Sequence, residues 1–472
     1  MSVRVLLVVL LLSLQGCASQ ALQPWHKFSP SDEFALDQRH RIVDFAGYLE
    51  LEDRVFEQLE QAPFLQKPLA SQDGLMRYSR GSAADPTDDT PNWNCSFEWP
   101  SDAPVGGVLL LHGMSDSPYS LRAIGETLRR KGYWVVGLRL PGHGTTPAGL
   151  LDVKWEDMAA VVQMAAEHLS ARLDGKPLHV IGYSTGATLA LNLALDALER
   201  GKAPPQSLVL ISPAIGLHGA AAFAQWKRRI ALLPGLGGLA WLTIEAEFDP
   251  YKYNSFATNA AEQVHRLTHS VAQKLAALQS SPHATRFPRT LVFKSNLDAT
   301  VSTSAVVSRL LNQLEPGRHE LVLFDANRYA AKSLLLISDP QSLAIRLLGD
   351  ESLPFTLTLV TNEHADTLDA VARRQLPFSR DISETTPLTT PWPAGVLSLS
   401  HVALPFPPDD PLYGRYPPDD ASVLFLGLMD IKGERGSLTL SADWLLRMRH
   451  NPFYDYTENA ILRWLAMPAE AQ

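Results

Sequence analysis

Cysteine is nearly absent from this chain of 472 residues, which contains only Cys17 and Cys95. Two cysteines exclude both the framework of several disulfides found in small secreted domains and a cysteine-rich metal site. No glycine-rich turn or other feature of a catalytic thiol surrounds Cys95. We therefore predict that Cys95 is a buried strand residue.

Basic runs are also lacking, and 41 Lys and Arg against 50 Asp and Glu give a net charge of −9. Nucleic-acid binding requires clustered positive charge, so this function class is excluded. No metal-ligand cluster or dinucleotide fingerprint occurs, and the glycine-rich stretch 235–238 follows no predicted strand. We therefore expect no cofactor and no metal.

The amino-terminal residues are typical of a signal peptide. Arg4 precedes the apolar run Val5–Leu12, which is far too short to span a bilayer. The next residues, Leu14-Gln15-Gly16-Cys17, resemble the bacterial lipoprotein box. The resemblance implies lipidation of Cys17, attachment to the bacterial cell envelope and, with Ala18 after the cysteine, the outer membrane. The alternative is an ordinary signal peptide cleaved nearby.

A serine lies between small residues in Gly182-Tyr183-Ser184-Thr185-Gly186. The apolar run 178–181 before it predicts a buried strand, and residues 187–195 after it predict a helix. This pattern predicts a sharp strand-to-helix turn that exposes the Ser184 hydroxyl and directs the Thr185 amide toward the group that the serine attacks. The alternative is a glycine-containing turn with a bystander serine.

Two motifs upstream occur in register with this turn. The apolar strand 107–111 runs into His112-Gly113-Met114, and the strand 134–138 runs into Pro141-Gly142-His143-Gly144. With the serine motif, these residues resemble the α/β-hydrolase family, especially its monoglyceride-lipase-like and carboxylesterase branch. The resemblance is dense over residues 104–215 and loose beyond them.

The resemblance implies an α/β-hydrolase fold: a mostly parallel central sheet covered by helices on both faces, with a helical cap insertion and an extra C-terminal insertion that contains strands. The predicted boundaries are residues 1–16 for the signal peptide, 17–100 for an extension with the first strands, 101–215 for the first half of the core, 216–285 for the cap, and 286–472 for the second half, with its insertion around 326–395. Within the cap, the apolar run 230–242 predicts either a lid or a helix packed on the core.

Ester cleavage by a serine produces an oxyanion that needs two fixed N–H donors. One is the Thr185 amide, and the resemblance places the other at the Met114 amide. His112 and His143 are predicted to shape their loops, because neither lies where this fold places its general base.

A serine becomes a good nucleophile only beside a histidine that is oriented by an acid. Asp298 follows the predicted strand 290–295 and matches the acid position of the family, and Asp325 is the alternative. The histidine is harder to place. We predict His401, just after the strand-like run 396–399, with His364 as its rival. His319 precedes its strand and is expected at the wrong edge of the sheet.

The order Ser184, Asp298, His401 is the order of α/β-hydrolases. The chain is therefore predicted to be a serine ester hydrolase that acts on a small-molecule acyl ester or lipid, with the membrane as partner through its lipid anchor; the sequence leaves its oligomeric state undetermined. A peptidase or thioesterase on the same fold remains an alternative, as does a non-catalytic envelope lipoprotein. The proline-rich segment 405–420 is predicted to form a rigid surface loop.

Overall fold

A computed structural model describes residues 21–38, 41–70, 73–88, 91–216, 237–298, 301–330, 341–419, 423–427 and 448–468. Its strands are β1 (Phe97–Trp99), β2 (Gly107–Leu111), β3 (Trp134–Leu138), β4 (Leu178–Tyr183), β5 (Ser207–Ile211), β6 (Trp241–Thr243), β7 (Phe256–Ala257), β8 (Arg289–Ser295), β9 (Glu320–Phe324), β10 (Thr356–Asn362), β11 (Ala370–Gln375) and β12 (Ile382–Pro387). Cys17, the predicted lipidation site, lies outside the described residues.

Ten of these strands form one sheet in the order β1-β3-β2-β4-β5-β8-β9-β10-β11-β12. The strands from β3 to β10 are parallel to their neighbours, while β1, β11 and β12 add antiparallel edges. Strands β2, β5 and β8 are buried along their whole length, as the apolar runs of β2 and β5 predict. The carboxyl ends of the parallel strands all lie at one edge of the sheet, the carboxyl edge, where residues distant in the sequence meet.

The longer helices are α1 (Phe45–Glu60), α2 (Arg122–Arg130), α3 (Trp155–Ser170), α4 (Thr185–Glu199), α5 (Thr258–Gln279), α6 (Thr303–Arg309), α7 (Gln341–Leu348) and α8 (Tyr454–Ala466). Helices α2 and α8 contribute to the apolar core on one face of the sheet, and the other six contribute to the core on the opposite face. The predicted parallel sheet with helices on both faces is thereby confirmed. None of the helices within the described ranges has the length and apolarity needed to cross a bilayer.

Two local predictions are wrong. Cys95 is not a strand residue: it lies in a bend before β1 and is only half-buried. Residues 396–399 are not a strand either, although they are buried. The backbone carbonyl of Leu397 accepts from Asn327 N–H at 2.7 Å and that of Leu399 accepts from Ser295 Oγ at 2.6 Å, so these residues contact the carboxyl edge without joining the sheet.

Part of the predicted cap lies outside the described residues, since 217–236 are not described. Residues 237–257 hold the short pair β6 and β7. Helix α5 follows, and its buried residues belong to the same core as those of α3 and α4. The lid hypothesis and the domain boundaries stay predictions.

The segment before β1 is built into the core through Arg139, which follows the end of β3. The Arg139 guanidinium is fully buried, forms an ion pair with Glu33 at 2.5 Å, and donates to the carbonyl of His143 at 2.6 Å. The hydroxyl of Tyr48, in α1, donates to the Arg139 carbonyl at 2.8 Å. The amino-terminal segment therefore fixes the loop that leaves β3.

Helix α1 also buries a carboxylate. Glu52 accepts hydrogen bonds from the backbone N–H of Ser96 at 2.7 Å and from its hydroxyl at 2.9 Å. Burial raises the pKa of Glu52 from 4.5 to about 7, although Arg139 opposes the shift. The folded chain therefore retains this proton at pH values where the unfolded chain has lost it.

The raised pKa of Glu52 predicts that the stability contributed by this group is present below about pH 4.5 and is lost as the pH rises through about 7. Glu52→Gln removes this titration. The free energy of unfolding of the variant minus that of the wild type should therefore rise by about 3 kcal/mol between about pH 4 and pH 8. Urea unfolding at several pH values measures it. Glu50→Gln, an exposed position on the same helix, is the control, and parallel wild-type and Glu52→Gln curves would contradict the prediction.

Candidate active site

Ser184 occupies the sharp turn between β4 and α4, with φ 51° and ψ −113°. This left-handed conformation is costly for a residue with a side chain, and it persists only where its surroundings hold it. The backbone N–H of Ser184 donates to the carbonyl of Ile211 at 2.9 Å, and its carbonyl accepts from Ala214 N–H at 3.2 Å. The predicted exposed-serine turn therefore has the expected backbone form, and Ser184 itself is partly exposed.

Glycine is required after the serine because two backbones approach closely there. A Cβ atom on Gly186 would lie 2.0 Å from the carbonyl oxygen of Leu111 and 2.5 Å from that of His112. On Gly182, it would lie 2.5 Å from the backbone of Ala187. The glycines therefore allow the amino end of α4 to lie against the end of β2.

This approach brings the two predicted oxyanion donors to neighbouring strand ends. Thr185 is the first residue of α4, so its N–H is one of those without an acceptor inside the helix. Met114 is buried in the loop after β2, which is adjacent to β4 in the sheet. The carbonyl of Ser115, the next residue, accepts from Tyr253 N–H at 2.8 Å, which fixes the loop from outside. The positive end of α4 favours negative charge at this position.

His112 and His143 have the structural roles predicted for them. The Nε2 atom of His112 accepts from Leu140 N–H at 3.0 Å, so its Nδ1 carries the proton and donates to the Gly113 carbonyl at 2.8 Å. Burial and the neighbouring His143 lower the pKa of His112. Burial also lowers the pKa of His143 to about 4, and its Nδ1 lies 2.9 Å from the Pro141 carbonyl. Both rings are neutral parts of the loops that follow β2 and β3.

Asp298 and His401 meet at the carboxyl edge of the sheet. His401 Nδ1 lies 3.5 Å from Asp298 Oδ1, and that oxygen also accepts from Val301 N–H at 3.1 Å. The Asp298 side chain is fully buried, whereas His401 retains 18% of its exposure. The histidine thus has one nitrogen beside a fixed carboxylate and a partly open ring, as a general base requires.

The three other candidates occupy different environments. Asp325, the alternative acid, has other partners: its carboxylate pairs with Arg328 at 3.0 Å and accepts from the hydroxyl of Thr361 at 3.0 Å.

The two other candidate histidines lie away from Asp298. His364 is exposed in the turn between β10 and β11, and within the described residues its ring makes no hydrogen bond or ion pair. His319 Nδ1 accepts from Thr290 N–H at 3.2 Å at the amino edge of the sheet. Burial lowers the pKa of His319 to about 3, and its location at the opposite edge matches the expectation.

Several charged residues that the sequence analysis did not identify lie around the site. Lys294, in β8, places its ammonium 2.6 Å from Asp298 Oδ2. Asp116 is buried in the loop after β2 and pairs with Lys252 at 2.9 Å. Burial raises the pKa of Tyr183, and Asp116 and Asp298 raise it further, so both carboxylates lie within electrostatic reach of that phenol. Of these residues, Lys294 could have been noticed in the sequence, because a lysine directly after the apolar residues of β8 indicates a buried charge.

The proline-rich segment is partly buried, which corrects the predicted surface loop. Asp410 Oδ1 accepts from the backbone N–H groups of Leu412 and Tyr413 and from the hydroxyl of Tyr119 at 3.0 Å. Tyr119 follows the loop after β2 and stacks on Tyr251 at 4.1 Å between ring centroids. The segment therefore packs beside the loop that carries Met114. Residues 409, 411, 415–417 and 419 of the segment are exposed.

Within the described ranges, no group of three or more His, Cys, Asp or Glu side chains is arranged to hold a metal ion. The chemistry available at this edge is that of a hydroxyl, an imidazole, carboxylates, an ammonium and backbone amides.

Comparison with known proteins adds related sequences. Residues 102–328 match the family model described as Serine aminopeptidase, S33. Over 93 residues the chain is 38% identical to the thermostable monoacylglycerol lipase of Bacillus sp. (strain H-257), an alignment covering 20% of this chain and 36% of that protein. Over 142 residues it is 34% identical to the magnesium-chelatase 30 kDa subunit of Rhodobacter capsulatus, covering 29% and 44%. The solved monoacylglycerol lipase of Paleococcus ferrophilus aligns with 49% of this chain and 88% of its own, at 17% identity and a TM-score of 0.38.

The chain spans less than half the length of these two curated relatives. The family match and the observed strand order show that the chain has the predicted α/β-hydrolase fold. The match includes Ser184 and Asp298 but ends before His401.

Because the backbones at Gly186 lie so close together, adding one methyl group there should strongly lower the stability of the protein. Gly186→Ala should lower the free energy of unfolding by about 2–3 kcal/mol, because the added Cβ overlaps two carbonyl oxygens that belong to a packed strand end. Thermal and urea unfolding measure the loss. Gly74→Ala is the matched control, since a Cβ there has no neighbour within 4 Å. Equal stabilities of the two variants would show that α4 does not depend on this contact.

Proposed function

We propose that this protein is a serine hydrolase that cleaves acyl esters, such as monoacylglycerols, lysophospholipids or short-chain carboxylesters, through an acyl-enzyme on Ser184. The contact of His401 with buried Asp298, at the edge where the strained Ser184 turn lies, is the observation that carries the proposal. Similarity to the serine aminopeptidase family model and to a monoacylglycerol lipase supports it.

In the proposed reaction, the neutral ring of His401 takes the proton of the Ser184 hydroxyl as its oxygen attacks the acyl carbonyl. The Met114 and Thr185 amides hold the oxyanion, and Asp298 stabilises the imidazolium that forms. The imidazolium then protonates the leaving alcohol. His401 next activates water, which hydrolyses the acyl-enzyme and releases the acid.

A fluorophosphonate probe, which phosphonylates activated serines, tests the proposal. We expect stoichiometric labelling of the wild type at Ser184, no labelling of Ser184→Ala, and labelling at least about 100-fold slower in His401→Ala. His364→Ala is the matched control and should be labelled at the wild-type rate. Labelling lost in His364→Ala but kept in His401→Ala would move the base to His364. A folded wild-type protein that stays unlabelled would favour a non-catalytic lipoprotein.

Substrate class is then separated by turnover. The proposal expects hydrolysis of p-nitrophenyl esters and monoacylglycerols, all abolished in Ser184→Ala. Faster cleavage of peptide p-nitroanilides or acyl thioesters than of esters would replace the ester assignment with a peptidase or a thioesterase, since the same catalytic groups serve all three reactions.

We further propose that the mature protein is anchored by lipid on Cys17 to the bacterial envelope, in the outer membrane. The support is the sequence Leu14-Gln15-Gly16-Cys17 after a short apolar run. Lipid attachment gives membrane binding without a spanning helix, and it brings the protein to a surface that contains acyl esters.

Mass spectrometry of the protein expressed in a bacterium with lipoprotein processing tests the anchor. The amino-terminal peptide should begin at an acylated Cys17, and the protein should sediment with membranes. Cys17→Ser should abolish both, whereas Cys95→Ser, the control at the second cysteine of the chain, should change neither. An unacylated mature terminus at another residue would indicate an ordinary signal peptide.

A further inference from the structure

The carboxylate assigned as the acid of the site has a cation as its closest charged neighbour. Lys294 Nζ lies 2.6 Å from Asp298 Oδ2, and both side chains are fully buried. The same ammonium donates to the Ser295 carbonyl at 3.0 Å. Taking a lysine and an aspartate out of water is costly, and removing either one would leave an uncompensated buried charge.

The position of Lys294 in the sheet explains why its ammonium reaches this carboxylate. Lys294 is the next-to-last residue of β8, where it pairs with Leu323 of β9. Two positions earlier, Val292 belongs to the apolar core that includes α4 and α6, so Lys294 extends toward the same side. A lysine in a buried interior strand of a sheet is unusual. The ammonium of Lys294 lies against the turn that carries Asp298.

The two oxygens of Asp298 have different partners. Oδ2 receives the Lys294 ammonium, whereas Oδ1 receives Val301 N–H and lies 3.5 Å from His401 Nδ1. The carboxylate therefore cannot rotate without breaking a buried ion pair. This division leaves Oδ1 directed at the histidine.

We propose that Lys294 is a positioning residue of the site: its buried ammonium keeps Asp298 ionised and turned toward His401, and it holds the His401 ring neutral to lower pH. The inference rests on the proposed function. It deepens that function by assigning a second, electrostatic support to the Asp298–His401 pair.

The charge effect follows from the groups that face the pair. An ionised Asp298 alone would attract a proton onto His401, but the Lys294 ammonium cancels much of that attraction.

The other charged or titratable groups near the pair are neutral or compensated. Tyr183, from β4, is a buried neutral phenol within electrostatic reach of Asp298, and the charge of Asp116 is compensated by Lys252. Asp325, at the end of β9, is compensated by Arg328. Lys294 is thus the cation in direct contact with the carboxylate.

Lys294→Gln removes the charge while retaining a hydrogen-bond donor. Without the cation, the Asp298–His401 pair binds a proton more readily, whichever residue takes it. The acidic limb of kcat/KM for a p-nitrophenyl ester should therefore move up by about one pH unit. Below both midpoints, activity should fall about tenfold relative to the wild type. The NMR titration of the His401 ring, identified by its loss in His401→Ala, should shift in the same direction.

Arg289→Gln is the matched control, because Arg289 is a buried cation at the opposite end of the same strand. Its guanidinium donates to the carbonyls of Trp464 and Met467, away from the site. It should leave the pH midpoint at the wild-type value even if it lowers stability. Superimposable midpoints for Lys294→Gln and the wild type, or an equal shift in Arg289→Gln, would overturn the inference.

Two further results complete the test. In an Asp298→Asn background, Lys294→Gln should change kcat/KM by less than about twofold, because the lysine acts through the carboxylate; a further large loss would overturn the inference. If Lys294→Gln alone does not fold, Lys294→Gln with Asp298→Asn should recover a thermal unfolding transition, and failure to recover it would contradict the pairing. The NMR shift needs no turnover, so an inactive protein whose His401 titration still shifts would refute the proposed function while retaining the effect of the Lys294 charge on the Asp298–His401 pair.

Discussion

The amino end of helix α4 lies directly against the backbone at the end of β2, and the site depends on this contact. It is possible only because Gly186 has no side chain where the Leu111 and His112 carbonyl oxygens lie. The approach sets the serine turn beside the loop after β2 and brings the amides of Met114 and Thr185 to adjacent strand ends. Strain at Ser184 is tolerated because hydrogen bonds to Ile211, the last residue of β5, and to Ala214 in the loop after it hold its backbone.

Buried charge is the second organising constraint. On one side of the molecule, Arg139 joins the amino-terminal segment to the loop after β3 through Glu33 and the His143 carbonyl. At the carboxyl edge, Lys294 joins β8 to the turn that carries Asp298. In both places a fully buried cation fixes the conformation of a loop. A buried ion whose partner is removed is costly, so such pairs specify one arrangement even where they add little net stability.

The carboxyl edge of the sheet is also enclosed by chain segments that come from far along the sequence. The Tyr253 N–H binds the loop after β2, and Asp410 binds the hydroxyl of Tyr119 just beyond that loop. His401 begins a 3-10 helix, His401–Ala403, and the residues just before it are attached to β8 and to Asn327 without forming a strand. The acid and the histidine therefore meet through contacts outside the regular hydrogen bonding of the sheet.

Local patterns in the sequence determined the parallel strands, the serine turn with its glycines, and Asp298 after β8, because each depends on residues that are neighbours in the chain. The structure corrected Cys95, the run 396–399 and the proline-rich segment, since local composition does not distinguish a strand from a buried irregular segment, or an exposed loop from one that packs against the core. Only the tertiary structure placed His401 beside Asp298 and His364 in an exposed turn, because these positions depend on which loop folds back onto Asp298. It also decided the partner of Lys294: a lysine in an apolar strand signals a buried charge, but only the folded chain brings the carboxylate to it.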